Sequence, residues 1–244
     1  AGVADDGRPW FAVEFVRGLP LLRHCDEARL SIEARVRLFE EICRAVHHAH
    51  QCGVLHRDLK PGNILVSTGQ PCDGTPVWGL PQVIDFGIAE ALGGDEVPAS
   101  TGDGTATETP VGKAGEAGAS TSSTGSSAPG GVVGTLEYMS PEQALGRDLD
   151  PRSDVFALGA ILHHMLVGAP PLGVADEAPA DALEGRATPT GDRLLDFVDR
   201  IRNLDPLPPS EAVKRLPPDE RERVAKARST TPLRLVRELR GDLD

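Results

Sequence analysis

One ten-residue stretch carries three side chains whose types and spacing suit phosphoryl transfer. Within HRDLKPGNIL, residues 56–65, Asp58 is followed by Lys60 two residues later and by Asn63 five residues later. At these offsets the three groups can converge on one small polar centre, where a carboxylate accepts a hydroxyl proton, an ammonium faces phosphate oxygens and an amide oxygen binds a metal ion. The stretch is therefore the candidate catalytic segment of the chain.

The flanking segments predict a helix and a β-hairpin that would hold this stretch. Over residues 31–51 apolar side chains recur at three- and four-residue spacing, with a Ser as N-cap and a Gly shortly after the end as a stop signal. Residues 63–66 and 82–84 are short apolar runs separated by many turn-forming residues, which predicts two strands joined by a long loop. The tripeptide DFG at 85–87 follows the second strand and adds a carboxylate there.

The rest of the chain predicts one strand, several helices and one insert. PWFAVEFV at 9–16 is an aromatic and β-branched run that predicts a strand. Residues 153–166 predict a fully buried helix, 194–204 an amphipathic helix, and 210–239 one or two Arg-rich helices whose charges form a solvated face. Residues 93–131 contain almost no large apolar side chain and predict a disordered insert.

Composition and charge are those of a soluble globular protein and exclude some functional classes. The 244 residues are 39% hydrophobic and 25% charged, and the net charge of −12 argues against a general nucleic-acid binder. No apolar run reaches the ~20 residues of a membrane-spanning helix. Four cysteines without C-x-x-C spacing predict reduced thiols, although their number is also compatible with two disulfides. The predicted compartment is the cytoplasm.

The sequence resembles the protein kinase family, and within it the bacterial Ser/Thr kinases. HRDLKPGNIL resembles the catalytic loop, DFG follows it, and GTLEYMSPEQ at 134–143 resembles the end of the activation segment. The resemblance implies that Asp58 orients a substrate hydroxyl and accepts its proton, and that Lys60 neutralises the transferring phosphoryl group. It also implies that Asn63 binds the second Mg²⁺ ion and that Asp85 is the main metal ligand.

The same resemblance implies roles for residues outside the catalytic loop. Thr135 would hydrogen-bond near the catalytic residues and help to shape the substrate site. Asp154 would brace the catalytic loop through backbone N–H groups, and its alternative is a carboxylate stabilised by the dipole at a helix N-terminus. ATP would also contact the gatekeeper position, the hinge backbone and the floor beneath adenine, which correspond to Val13, the carbonyl of Glu14, the N–H of Val16 and Leu65.

The fold implied is α+β and protein-kinase-like, with a mainly α-helical C-lobe, the last N-lobe strand and the hinge, and with most of the N-lobe missing. Residues 1–18 would form the end of the N-lobe and the hinge. Residues 19–244 would form a C-lobe that is incomplete at its C-terminus and carries the 93–131 insert in its activation segment. No Gly-rich phosphate loop, no strand Lys and no Arg partner for Glu142 are found. The chain alone is therefore expected to have little or no kinase activity.

The function implied is transfer of the γ-phosphate of Mg·ATP to Ser or Thr hydroxyls of protein substrates. No nucleic-acid partner and no membrane segment within this chain are expected. A Lys two residues after the catalytic Asp is the pattern of Ser/Thr-directed kinases. Two other classes stay open, namely a pseudokinase or binding module of the same fold and a small-molecule kinase of the aminoglycoside type. The 134–143 segment, which supports peptide substrates in the family, favours a protein substrate.

Two further hypotheses concern residues outside the catalytic centre. Cys43, His47 and His50 share a helix face and suggest a zinc site. The alternative is that these side chains pack in the core or lie on the surface without binding a metal. Ser and Thr residues between 101 and 127 lie where activating phosphorylation falls in related kinases, so autophosphorylation there is one hypothesis, with Arg57 receiving the phosphate charge. An inert insert is the equal alternative.

Overall fold

The structure is a computed structural model that describes several stretches of the chain. The described residues are 2–3, 9–10, 14–67, 78–86, 136–172, 197–201, 203 and 205–244. The predicted insert at 93–131 lies outside them, as do Val13, Cys72, Gly87 and Thr135. Predictions that concern those residues stay predictions.

Two small antiparallel sheets contain all strands of the described residues. One pairs β1 (Gly2–Val3) with β2 (Pro9–Trp10), and the other has the order β3 (Leu19–Pro20), β4 (Ile64–Ser67), β5 (Leu80–Val83). The β4–β5 hairpin confirms the prediction from the apolar runs.

The predicted strand at 9–16 lies partly outside the described residues, because residues 11–13 are not among them. Its first two residues form β2, which pairs with β1. Residues 14–18 have no regular structure. They lead directly into β3, whose two residues pair with Leu65 and Val66 of β4.

Two helices precede the catalytic segment. The first, α1 (Leu21–Glu27), was not predicted, and α2 (Ile32–Gln51) follows it. The α2 helix begins where the sequence predicts, because the Ser31 hydroxyl accepts a hydrogen bond from the N–H of Ala34. Its buried positions recur at the predicted spacing, so α2 packs against the core along one face.

The second half of the described chain is helical. A short α3 (Pro141–Ala144) is followed by α4 (Pro151–Val167), which ends at Gly168, where φ is 94°. The prediction of a fully buried helix holds only in part, because Val155 and Gly159 are exposed. Residues 197–201 are helical, within the predicted 194–204 helix. The Arg-rich region forms three helices rather than one or two, each beginning with a proline: α5 (Pro209–Arg215), α6 (Pro218–Ala227) and α7 (Pro232–Leu239).

Three hydrophobic clusters meet along α4. The largest joins α1, α2, β4 and the middle of α4, and the second joins the end of α4 to α5, α6 and α7. The third consists of Leu136, Leu172 and Phe197 and lies against Phe156 on α4. The helix is therefore the central support of the described structure, with the catalytic segment on one side and the Arg-rich helices on the other.

Two buried arginines bind the carbonyl groups at the end of α4. Arg35 and Arg228 are both almost fully buried, and both donate to the carbonyl of Met165, at 3.0 and 2.9 Å. Arg228 also donates to the carbonyl of Leu166 at 2.6 Å. These donors complement the negative end of the helix dipole. The interpretation of the Arg-rich helices as a solvated face is therefore wrong for Arg228. Burial lowers the pKa of the Arg228 guanidinium to about 10.

No helix of the described residues is long and apolar enough to cross a bilayer. Cys25, Cys43 and Cys52, the cysteines that the structure describes, are free thiols. Burial raises the pKa of Cys25 to about 11. In the described part of the chain no group of three or more His, Cys, Asp or Glu side chains is arranged to hold a metal ion.

A tyrosine–histidine hydrogen bond joins the segment before α3 to α4. The Tyr138 hydroxyl lies 2.6 Å from Nδ1 of His164. Burial, and after it the charge of Arg228, lowers the pKa of His164 to about 4. The charge of Asp26 opposes this shift, and His163 adds a smaller lowering. Burial raises the pKa of Tyr138. The neutral imidazole therefore accepts the hydrogen bond through Nδ1, and the phenol donates it.

This pair predicts that the folded state loses stability in mild acid. Because the pKa of His164 is lower in the folded state than its ordinary 6.5, its contribution is fully present above pH 6.5 and is lost as the pH falls towards 4. The free energy of unfolding should fall by about 2 kcal/mol between pH 7.5 and 5.0 from this group. Denaturant titrations at the two pH values should show a smaller fall for His164→Asn, which keeps an acceptor and cannot titrate. An equal fall in both proteins would contradict the assignment.

Candidate active site

A carboxylate on α4 binds the backbone of the catalytic segment. The side chain of Asp154 is almost fully buried, and its Oδ2 and Oδ1 accept the N–H groups of His56 and Arg57, each at 2.9 Å. His50 on α2 lies 2.7 Å from the same Oδ2 through Nε2. The contact between Asp154 and the backbone of the catalytic segment, predicted from the resemblance, is therefore present. Asp154 also lies in the first turn of α4, where the helix dipole favours a carboxylate.

His56 links the catalytic segment to the end of β5. Its Nδ1 accepts the N–H of Asp58 at 3.3 Å, so the proton lies on Nε2, which donates to the carbonyl of Ile84 at 3.0 Å. The His56 ring also lies against that of Phe86, with 4.7 Å between centroids. Through these contacts Ile84 and Phe86 lie next to the catalytic segment even though 28 positions separate His56 from Ile84.

The three predicted polar groups do converge. Nζ of Lys60 lies 2.7 Å from Oδ2 of Asp58, and Nδ2 of Asn63 donates to the carbonyl of Asp58 at 2.8 Å and to Oδ2 at 3.2 Å. The carboxylate stays accessible, with 48% of the Asp58 side chain exposed, while Asn63 is buried. An accessible acceptor beside an ammonium suits a substrate hydroxyl that arrives from solvent together with a phosphate group.

The hairpin positions the two candidate metal ligands. Asn63 precedes β4 and Asp85 follows β5, and the N–H of Ile84 donates to the carbonyl of Asn63 at 2.9 Å. Both hydrogen bonds of the Asn63 amide use Nδ2, which leaves Oδ1 as its ligand atom. Asp85 is exposed and has a φ of 62°. One amide oxygen and one carboxylate fit Mg²⁺, which takes few protein oxygens and completes its shell with water and phosphate.

Of the predicted adenine-contacting residues, the structure describes Glu14, Val16 and Leu65. Leu65 is half-buried and pairs with Pro20 on one side and Gln82 on the other. Glu14 is exposed and Val16 is half-buried. Gly18 fixes the path of this stretch, since a Cβ there would lie 2.9 Å from the backbone of Val66.

The segment after the undescribed region packs onto the catalytic segment. Ser140 and Gln143 form a capping box at the start of α3, and Nε2 of Gln143 donates to the carbonyl of Arg57. Glu142, for which the sequence offered no Arg partner, accepts a 2.5 Å hydrogen bond from the Ser153 hydroxyl on α4. Burial raises the pKa of Glu142, but hydrogen bonds led by that from Ser153 outweigh burial and lower it.

Comparison with known proteins decides the family. Residues 3–206 match the family described as protein kinase domain. The chain belongs to the protein kinase family. It is 30% identical over 240 residues to the serine/threonine-protein kinases PknB of Mycolicibacterium smegmatis and of Mycobacterium tuberculosis, an alignment that covers 96% of this chain and 30% of each relative. It is 37% identical over 171 residues to the serine/threonine-protein kinase pkn3 of Myxococcus xanthus, covering 70% of this chain and 26% of the relative.

The chain spans about 30% of the length of the PknB relatives that it matches. The family assignment agrees with the observed α+β architecture, which combines a mainly helical body with a small three-stranded sheet.

The structure also shows contacts of the kinase domain that sequence reasoning missed. His50 was assigned a packing or surface role, whereas it lies against Asp154, 104 positions away. Gln143 contacts the carbonyl of Arg57, 86 positions away. Neither contact has a local signal in the sequence, because each depends on how α4 and α3 return to the catalytic segment.

Proposed function

We propose that this chain belongs to the catalytic domain of a bacterial Ser/Thr protein kinase that transfers the γ-phosphate of Mg·ATP to protein hydroxyls. The observation that carries the proposal is the convergence of Asp58, Lys60 and Asn63 at the end of the hairpin that also holds Asp85. The names of the relatives support the Ser/Thr class. No observation favours the pseudokinase or the small-molecule kinase.

The proposed chemistry assigns one role to each side chain. Asp58 orients the substrate hydroxyl and accepts its proton as the new O–P bond forms and the bond from the γ-phosphorus to the bridging oxygen breaks. Lys60, which pairs with Asp58 in the structure, neutralises the negative charge of the phosphoryl group. Asn63 and Asp85 would hold Mg²⁺, which neutralises phosphate oxygens when bound.

The remaining site residues are proposed on the same basis. Thr135 would help to shape the substrate site, and the adenine ring would contact Val13, Glu14, Val16 and Leu65. Residues 1–18 would supply the end of the N-lobe and the hinge, and the residues from 19 onward the C-lobe. We place the domain in the cytoplasm, where ATP is available as the phosphate donor.

The function is tested by phosphate transfer from labelled ATP. The full-length protein should label Ser- or Thr-containing peptides in the presence of Mg²⁺ and should leave matched Tyr peptides unlabelled. Removal of the metal with EDTA should abolish transfer, and excess Mg²⁺ should restore it, because the phosphate charge is then neutralised again. Labelling of an aminoglycoside instead of peptides would support the small-molecule kinase, and no transfer to any acceptor would contradict the proposal.

A further inference from the structure

The peptide group between Arg57 and Asp58 is held in an uncommon conformation. The φ of Arg57 is 66°, in the left-handed region that a non-glycine residue adopts only when its surroundings impose it. The N–H of Arg57 donates to Oδ1 of Asp154 at 2.9 Å, and its carbonyl accepts from Nε2 of Gln143. Two side chains from different helices therefore fix the two backbone polar groups of this residue.

The orientation of the Gln143 amide follows from its other hydrogen bond. Its Oε1 accepts the N–H of Ser140 at 2.9 Å, within the capping box of α3. The Nε2 end must then point to the carbonyl of Arg57, since a flipped amide would place oxygen against oxygen there and a donor against the N–H of Ser140. The contact is thus a donor-to-acceptor bond whose orientation is set by the backbone N–H of Ser140.

The carbonyl of Arg57 belongs to the peptide group whose nitrogen is that of Asp58. The N–H of that group donates to Nδ1 of His56 at 3.3 Å, so Gln143 and His56 hold the same peptide plane from its two sides. Gln143 and Asp58 also border one small cavity of about 30 Å³, lined by Arg57, Asp58, Leu59, Tyr138, Met139 and Gln143.

We propose that Gln143 is a positioning residue for the transfer reaction. Its Nε2 donor sets the peptide plane that precedes Asp58, and so links the order of the Ser140–Gln143 turn to the direction of the Asp58 carboxylate. The role rests on the proposed kinase function. When the turn is ordered the carboxylate is in place, and when the turn is displaced the peptide plane loses one of its two side-chain contacts.

Two variants of the full-length protein separate this role from a purely structural one. Gln143→Glu keeps an acceptor for the N–H of Ser140, so the capping box survives, but places an oxygen against the carbonyl of Arg57. Ser140→Ala removes the hydroxyl that accepts the N–H of Gln143 at 3.4 Å and leaves the amide donor intact. The first should lower kcat about tenfold or more with KM for ATP and peptide within about twofold. The second should keep kcat and lower Tm by about 2–4 °C.

The opposite kinetic result would overturn the role. If kcat of Gln143→Glu stays within about twofold of the wild type, or if kcat falls in both variants in proportion to Tm, Gln143 does not position Asp58. In both cases the wild-type activity would remain, so the kinase function would stand.

Hydrogen exchange tests the positioning without depending on activity. In Gln143→Glu, amide exchange in the segment 55–60 should be faster than in the wild type by about tenfold, and it should stay unchanged in Ser140→Ala. Equal exchange in all three proteins would contradict the proposal. A wild type that transfers no phosphate would remove the kinase function, and the exchange result would still decide whether Gln143 holds the segment.

Discussion

Replacing Asp58 by Asn is expected to reduce phosphate transfer on the order of 10³-fold, the range of a lost general base. The amide is nearly the same size as the carboxylate, and its oxygen can still accept from Asn63, but it cannot accept the hydroxyl proton. The fold should be kept, because the Asp58–Lys60 pair is partly exposed and such pairs contribute only ~1 kcal/mol or less. Initial rates of peptide labelling under saturating Mg·ATP, together with Tm, measure both expectations.

An exposed aspartate elsewhere provides the matched control. Asp148 lies in the loop between α3 and α4, so Asp148→Asn makes the same chemical change at a position outside the candidate site. Its rate should equal that of the wild type. If Asp58→Asn kept more than about a tenth of the wild-type rate, Asp58 would not act as the base.

Replacing Arg35 by Met is expected to destabilise the protein by about 3–5 kcal/mol, the cost of leaving several buried carbonyl groups without their donor. The side chain is fully buried and donates to four carbonyl groups and one carboxylate, those of Leu30, Met165, Cys25, Ala227 and Asp26. Met fills much of the same volume without donating, so those acceptors lose a buried partner. Since a domain typically has only ~5–15 kcal/mol of stability, thermal or urea unfolding should show the loss directly.

Two further variants make this prediction decisive. Arg234→Met changes an exposed arginine on α7 that pairs with Glu238, and it should change the free energy of unfolding by less than about 1 kcal/mol. Arg35→Lys keeps the charge but has fewer donors, so it should fall between the wild type and Arg35→Met, and it remains measurable if the Met variant does not fold. A Tm for Arg35→Met equal to that of Arg234→Met would show that the cluster contributes little.

The sequence predicted the elements whose signals are local. The 3.6-residue period and the Ser31 cap define α2, and the apolar runs on both sides of a turn-rich stretch define β4 and β5. The convergence of Asp58, Lys60 and Asn63 was also predictable, because their separations are short enough for one loop to set the geometry. In these parts neighbouring residues alone determine the local structure, so the sequence pattern is enough to predict it.

The parts that were missed depend on contacts between distant segments. The α1 helix has seven residues and no side-chain cap, and its buried residues Leu21, His24 and Cys25 pack against other elements, so little in its own sequence favours a helix. Arg228 belongs to a charged stretch, which predicted a solvated side chain. Instead its guanidinium is buried and donates hydrogen bonds to carbonyl groups of α4. Such a site forms only when several helices supply acceptors together.

The buried arginine cluster also sets the order in which the chain can complete its core during synthesis. Nη2 of Arg35 donates to the carbonyl of Ala227, which is 192 positions later in the chain. Until Ala227 and Arg228 emerge from the ribosome, Arg35 lacks one of its acceptors and the carbonyl of Met165 lacks its second donor. The α2 helix and the catalytic segment are synthesised early, but the arginine contacts that stabilise them form only after α6 has been synthesised. A nascent chain that stops before α6 would therefore expose an unfinished, charged interior and would depend on chaperones longer than one built from local contacts.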